Sequence, residues 1–199
     1  MLNDLYFCTI KIVKNMGSEN GVTDKNRQAK LLKIIEQGSD KVILSMLIDL
    51  KEHGEIFYLE TLMGMAIGGK SDTLKKAIIR FISDVKAKDA APVIANFIRK
   101  NKGNKEIIRL VAACWQSVLD FSNHLDTFFD IFIESDYECS FEAFTVIENN
   151  ISQLTTGELS RYTTKLNQEI SSTSKEKQPL LQEMVRLLDE TKKAAQRPL

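Results

Sequence analysis

Four segments of the chain repeat one apolar pattern at nearly constant spacing, and an internal repeat of this period constrains a fold more tightly than any single motif. Leu50, Val85, Val118 and Ile151 follow one another at intervals of 35, 33 and 33 residues. Eight positions before each stand Val42, Ala77, Leu110 and Ala143; seven before, Ile43, Ile78, Val111 and Phe144; four before, Met46, Phe81, Cys114 and Ile147. All sixteen positions are apolar in a chain that is 43% hydrophobic overall. Steps of three, four and seven residues return to one face of a helix, so each segment predicts a helix with one greasy stripe. A single hairpin leaves such a stripe uncovered, and neighbouring hairpins must stack to bury it.

The elements can be placed. After an amphipathic piece (Leu2, Leu5, Tyr6, Ile10, Val13), Met16 to Thr23 reads as a loop, with Thr23 or Asp24 capping a helix that stops near Gly38. Ser39 caps a second helix ending near His53 and Gly54. The next pairs are Ile56 to Ile67 with Thr73 to Val85, Ala90 to Ile98 with Lys105 to Asp120, and Leu125 to Ile133 with Phe141 to Ile151. A longer, more polar pair, Gly157 to Ile170 and Lys175 to Ala195, suits a terminal cap. With three prolines and nine glycines among 199 residues, helices joined by short turns are favoured over sheet. The expected architecture is all-α: a right-handed superhelix of about five stacked hairpins with an extra N-terminal helix. Residues 1–22 form an N-terminal cap, 23–152 the repeats and 153–199 a capping hairpin of one domain.

Ala91 to Phe121 resembles a HEAT repeat, most specifically where Ile108, Arg109, Ala112 and Ala113 match that family's Val-Arg-x-x-Ala-Ala signature. Lys76 and Lys41 occupy the column of Arg109 in the two preceding units, and the fourth unit places Glu142 there. The resemblance covers roughly Ser39 to Ile151. It implies a helical solenoid in which the basic column helps tie adjacent repeats together.

Charge is segregated although the total is zero, with 27 basic and 27 acidic residues. Residues 62–118 hold eleven Lys or Arg against four Asp or Glu, whereas 119–160 hold nine acidic residues and no Lys or Arg. Aromatics interleave with the acids, and most of them, Phe128, Phe129, Phe132 and Phe144 among them, fall on core positions. Tyr137 and Phe141 are the ones expected outside. Trp115 shares a column with Leu47 and Ile82, which assigns it to the core; Glu148 interrupts that column and is expected to face solvent.

Little argues for chemistry. His53 and His124 read as surface or capping residues, no zinc-binding spacing occurs, and Cys8, Cys114 and Cys139 read as reduced structural thiols. Gly64 to Ser71 satisfies the phosphate-loop pattern GxxxxGK[ST], but the pattern needs a preceding buried strand, and Ile56 to Met63 read as helix. No signal segment or membrane span is visible, and the location read from this is cytoplasmic. The function expected is a non-enzymatic protein-interaction module, a scaffold or adaptor, with no cofactor and no metal. Its expected partner-binding residues are Asp126, Asp130, Asp136, Tyr137, Glu138, Phe141 and Glu142, with Lys75, Arg80 and Arg109 on the second helices. The partner is another protein, a basic peptide or domain, and no membrane is involved. Self-association through faces of opposite sign is an alternative. A nucleic-acid role, disfavoured by neutrality, would use the basic segment 70–109.

Overall fold

The structure, a computed structural model, describes residues 21–51 and 55–196. It is all-α, with no strand among the described residues. The helices are α1 (Gly21–Gln37), α2 (Asp40–Leu50), α3 (Leu59–Ala66), α4 (Asp72–Ser83), α5 (Ala90–Lys100), α6 (Ile108–Gln116), α7 (Leu125–Glu134), α8 (Tyr137–Asn150), α9 (Thr156–Glu169) and α10 (Gln178–Ala195). Short 3₁₀ turns sit at Lys105–Ile107, Ser122–His124 and Ile151–Gln153. The expected N-terminal helix, Cys8, His53 and Gly54 lie outside the described residues.

Helix ends follow from side-chain chemistry. Ser71 and Asp136 accept hydrogen bonds from the backbone N–H of Leu74 and Cys139, satisfying donors that the first turns of α4 and α8 leave without partners. Thr155 and Glu158 form a reciprocal capping box on α9. α1 stops where the Gly38 N–H reaches back 2.8 Å to the Ile34 carbonyl. A Cβ at Gly38 would stand 2.6 Å from that oxygen, so only glycine allows the approach. Gly21 to Thr23, expected to be loop, are already helical. Gly64 lies inside α3 and Ser71 caps α4, so the phosphate-loop pattern falls on a helix, a turn and a helix.

Two compact units form: the described residues up to Ile94 with Ser117–Leu119, and Ala95–Gln116 with those from Asp120 onward. In the first unit α3 packs on α4, α1 on α3, and α2 on α4. In the second, α7 packs on α8 and α9 on α10, while α6 lies against α8, α7 against α9, and α8 against α10. First helices therefore neighbour first helices, and second helices neighbour second helices, within each unit. Polar ties recur at the same interval as the sequence repeat. Asp40 accepts from the Ser71 N–H, 31 residues on, and Lys51 pairs with Asp84, 33 on, so α2 and α4 are joined near both ends. Lys102 pairs with Glu134 at a separation of 32, and Asp130 with Lys165 at 35. Within each unit, then, residues about one sequence repeat apart are tied together.

Burial sorts the four columns. Ile43, Ile78, Val111 and Phe144 are buried, as are Met46, Phe81, Cys114 and Ile147. The column eight before is split, Leu110 and Ala143 being buried and Val42 and Ala77 half-buried. The reference column does not hold: Leu50 and Ile151 are buried, Val85 is half-buried and Val118 is 78% exposed. Val118 was expected on a helix running to Asp120, but α6 ends at Gln116. There the Ser117 hydroxyl oxygen accepts from the Leu119 N–H at 3.2 Å, capturing a donor that a continuing helix would spend on its own ladder. Lys41, Lys76 and Arg109 are exposed and pair with no acidic group among the described residues, so the basic column supplies none of these ties.

Candidate functional site

The acidic segment divides between the two helices of one hairpin, and the division decides which carboxylates are paired within the chain. On α7, Asp126, Asp130 and Glu134 recur every four residues along one face. A matching cationic row meets them. Arg161 Nη2 lies 3.0 Å from Asp126 Oδ1 and Lys165 Nζ 2.8 Å from Asp130 Oδ1, both cations coming from α9 one repeat on. Lys102, just past α5, stands 2.6 Å from Glu134 Oε2. Tyr162 donates its hydroxyl to Asp126 at 2.7 Å while its ring stacks on Phe129, with centroids 3.7 Å apart. The carboxylates of α7 are each paired with a cation of this chain.

Asp126 and Asp130, expected among the partner-binding residues, are thus paired within the chain. Exposed pairs contribute about 0–1 kcal/mol each, and reversal sets like charges opposite one another. The double substitution Asp126→Lys with Asp130→Lys is expected to lower stability by about 1–2 kcal/mol, read as a drop in Tm by circular dichroism.

α8 is arranged differently. Asp136 is its N-cap and is committed to the Cys139 N–H at 3.1 Å. Tyr137 and Phe141, one turn apart, are 39% and 50% exposed, and Glu138 and Glu148 face solvent. Trp115 on neighbouring α6, expected in the core, is 38% exposed. Its indole N–H requires an acceptor, and Glu142 Oε2 supplies one at 2.6 Å across the α6–α8 seam. The column that is buried at Leu47 and Ile82 is exposed at Trp115 and, on α8, at Glu148. Of the sequence-predicted residues, the structure brings Tyr137, Glu138, Phe141 and Glu142 onto one helix, with exposed Arg109 on the helix packed against it. Lys75 and Arg80 belong to the other unit, half-buried and exposed respectively on α4. Trp115 was missed because its column, read alone, indicates core.

No family model, curated protein or solved structure matches the chain.

Among the described residues no group of three or more His, Cys, Asp or Glu could hold a metal ion, and no helix is long and apolar enough to cross a membrane. Cys114 and Cys139 are buried thiols, both pushed up in pKa by burial. A cavity of about 180 Å³ in the first unit is lined by Leu50, Tyr58 and Phe81, with the Lys51–Asp84 pair at its edge. Burial, reinforced by Glu55, raises the Tyr58 phenol well above the usual range; burial and the bond to Asp126 do the same for Tyr162. Both are therefore held neutral in the fold. Their contribution is complete below about pH 10, the unfolded value, and is lost above it as the unfolded chain ionises first. Tyr162→Phe is expected to lower stability below about pH 10 and to make its decline above that pH shallower, read by denaturant unfolding at pH 8 and at pH 11.

Proposed function

We propose that this chain is a cytoplasmic, non-enzymatic module that binds another protein through its second helices, built as a right-handed HEAT-like superhelix of stacked hairpins. The repeat-spaced ties within each unit support the stacking, and the carrying observation for binding is the α6–α8 surface. Trp115, Tyr137 and Phe141 are large aromatic side chains left partly exposed on two adjacent helices, at positions where the same helices bury aliphatic residues on their other faces. Scattered exposed apolar residues need no explanation, but three aromatics gathered on neighbouring helices are the composition of an interaction surface. Lys102 of the basic segment is engaged by Glu134, which weakens a nucleic-acid reading of 70–109.

The test is affinity purification from the native cell with tagged wild type and a Tyr137→Ser, Phe141→Ser variant of unchanged Tm. A protein that co-elutes with the wild type and is lost from the variant is the expected result. An identical set of co-eluting proteins from both chains contradicts the reading.

A further inference from the structure

We propose that the α6–α8 face takes a cationic amphipathic protein segment, one that sets Lys or Arg beside large apolar side chains; this rests on the protein-binding reading above and names the partner's chemistry. The two helices of one hairpin differ in how their carboxylates are paired. Every carboxylate along the α7 face already has a cation from this chain: Asp126 has Arg161, Asp130 has Lys165, and Glu134 has Lys102. The α8 carboxylates do not. Among the described residues no cation lies within ion-pair distance of Glu138 or Glu148, and Glu142 is bonded to a neutral indole N–H.

The unneutralised acids and the exposed aromatics occupy the same helix. Tyr137 and Phe141 share an edge of α8 with Glu148, and Glu138 and Glu142 flank them one residue on. Arg109 is the single charged residue of α6. A partner of apolar side chains alone would leave Glu138 and Glu148 desolvated without a counter-charge, and an acidic partner would add repulsion. A bare polycation would leave the aromatic surface wet. A segment with both features satisfies the face: its apolar side chains cover Tyr137 and Phe141, its cations meet the carboxylates, and Arg or Lys placed over the rings adds cation–π attraction.

Trp115 is the one tryptophan of the chain and stands within this face, so its emission reports occupancy directly. The experiment titrates the full chain with a synthetic leucine–lysine amphipathic peptide. A leucine–glutamate peptide, an oligolysine without leucine and a DNA duplex serve as competitors in sense, and anisotropy of the labelled ligand is recorded alongside emission. The expected result is saturable binding of the leucine–lysine peptide alone. Affinity should weaken about tenfold for Glu138→Gln with Glu148→Gln and again for Phe141→Ala, at unchanged helicity. Equal binding of the leucine–glutamate peptide, indifference to the α8 substitutions, or preference for the duplex overturns the proposal. So does dimerisation of the chain that Phe141→Ala abolishes, because a second copy then occupies the face. A native partner that requires Tyr137 and Phe141 but ignores Glu138→Gln with Glu148→Gln defeats this inference and leaves the protein-binding reading standing. Loss of dependence on Tyr137 and Phe141 removes that reading instead.

Discussion

Ile147→Ala is expected to cost about 2–5 kcal/mol, whereas Val118→Ala should change stability by less than about 0.5 kcal/mol. In sequence the two positions look equivalent, since both are apolar members of the four-fold pattern. In space they are not: Ile147 is fully buried on α8, where deleting three carbons leaves a void that close-packed neighbours fill only in part, and Val118 is 78% exposed beyond the end of α6. Denaturant unfolding of the two variants measures the difference. Equal destabilisation at both positions would mean that the chain continues its helix to Asp120 and that the repeat register differs from the one described.

Lys177→Met is expected to destabilise by about 2 kcal/mol, although methionine matches the lysine stem in shape and removes a charge from a buried place. Lys177 is only 4% exposed, at the start of α10, and its ammonium donates to the Ile133 and Ser135 carbonyls, both at 2.7 Å. Those oxygens terminate α7, where the helix leaves acceptors without partners and its dipole favours a cation. Burial lowers the Lys177 pKa, which records the desolvation that the two charge-assisted bonds must exceed. Methionine relieves the desolvation but leaves both carbonyls without this donor. Thermal melting reads the net effect, and amide exchange at the α7–α8 turn should rise with it. A variant as stable as the wild type would show that water serves these carbonyls equally well.

Much of the fold was legible because its signals are local. The caps at Ser71 and Asp136, the stop at Gly38 and the buried stripe four and seven residues before the reference column are each written within one or two turns of chain. What failed was less local. The end of α6 depends on whether the Ser117 hydroxyl or the helix takes the Leu119 N–H, a competition that apolar periodicity does not register. The role of the α7 acids was hidden for a related reason. Counting charge over 119–160 excludes Arg161 and Lys165, yet the cations that meet Asp126 and Asp130 lie 35 residues on, not beside them. Trp115 escaped because its column is buried at Leu47 and Ile82 and becomes exposed only from Trp115 on. The surface on α8 was partly visible, since Tyr137 and Phe141 fall outside the buried stripe that Phe144 and Ile147 define.

The division of labour between the two acidic helices is most directly tested by one matched comparison: Asp126→Asn with Asp130→Asn against Glu138→Gln with Glu148→Gln, each measured for Tm and for affinity toward the leucine–lysine peptide. The α7 pair is predicted to lower Tm and leave affinity unchanged, and the α8 pair to weaken affinity about tenfold at unchanged Tm. Weaker binding from the α7 substitutions with no loss from the α8 substitutions would contradict the assignment.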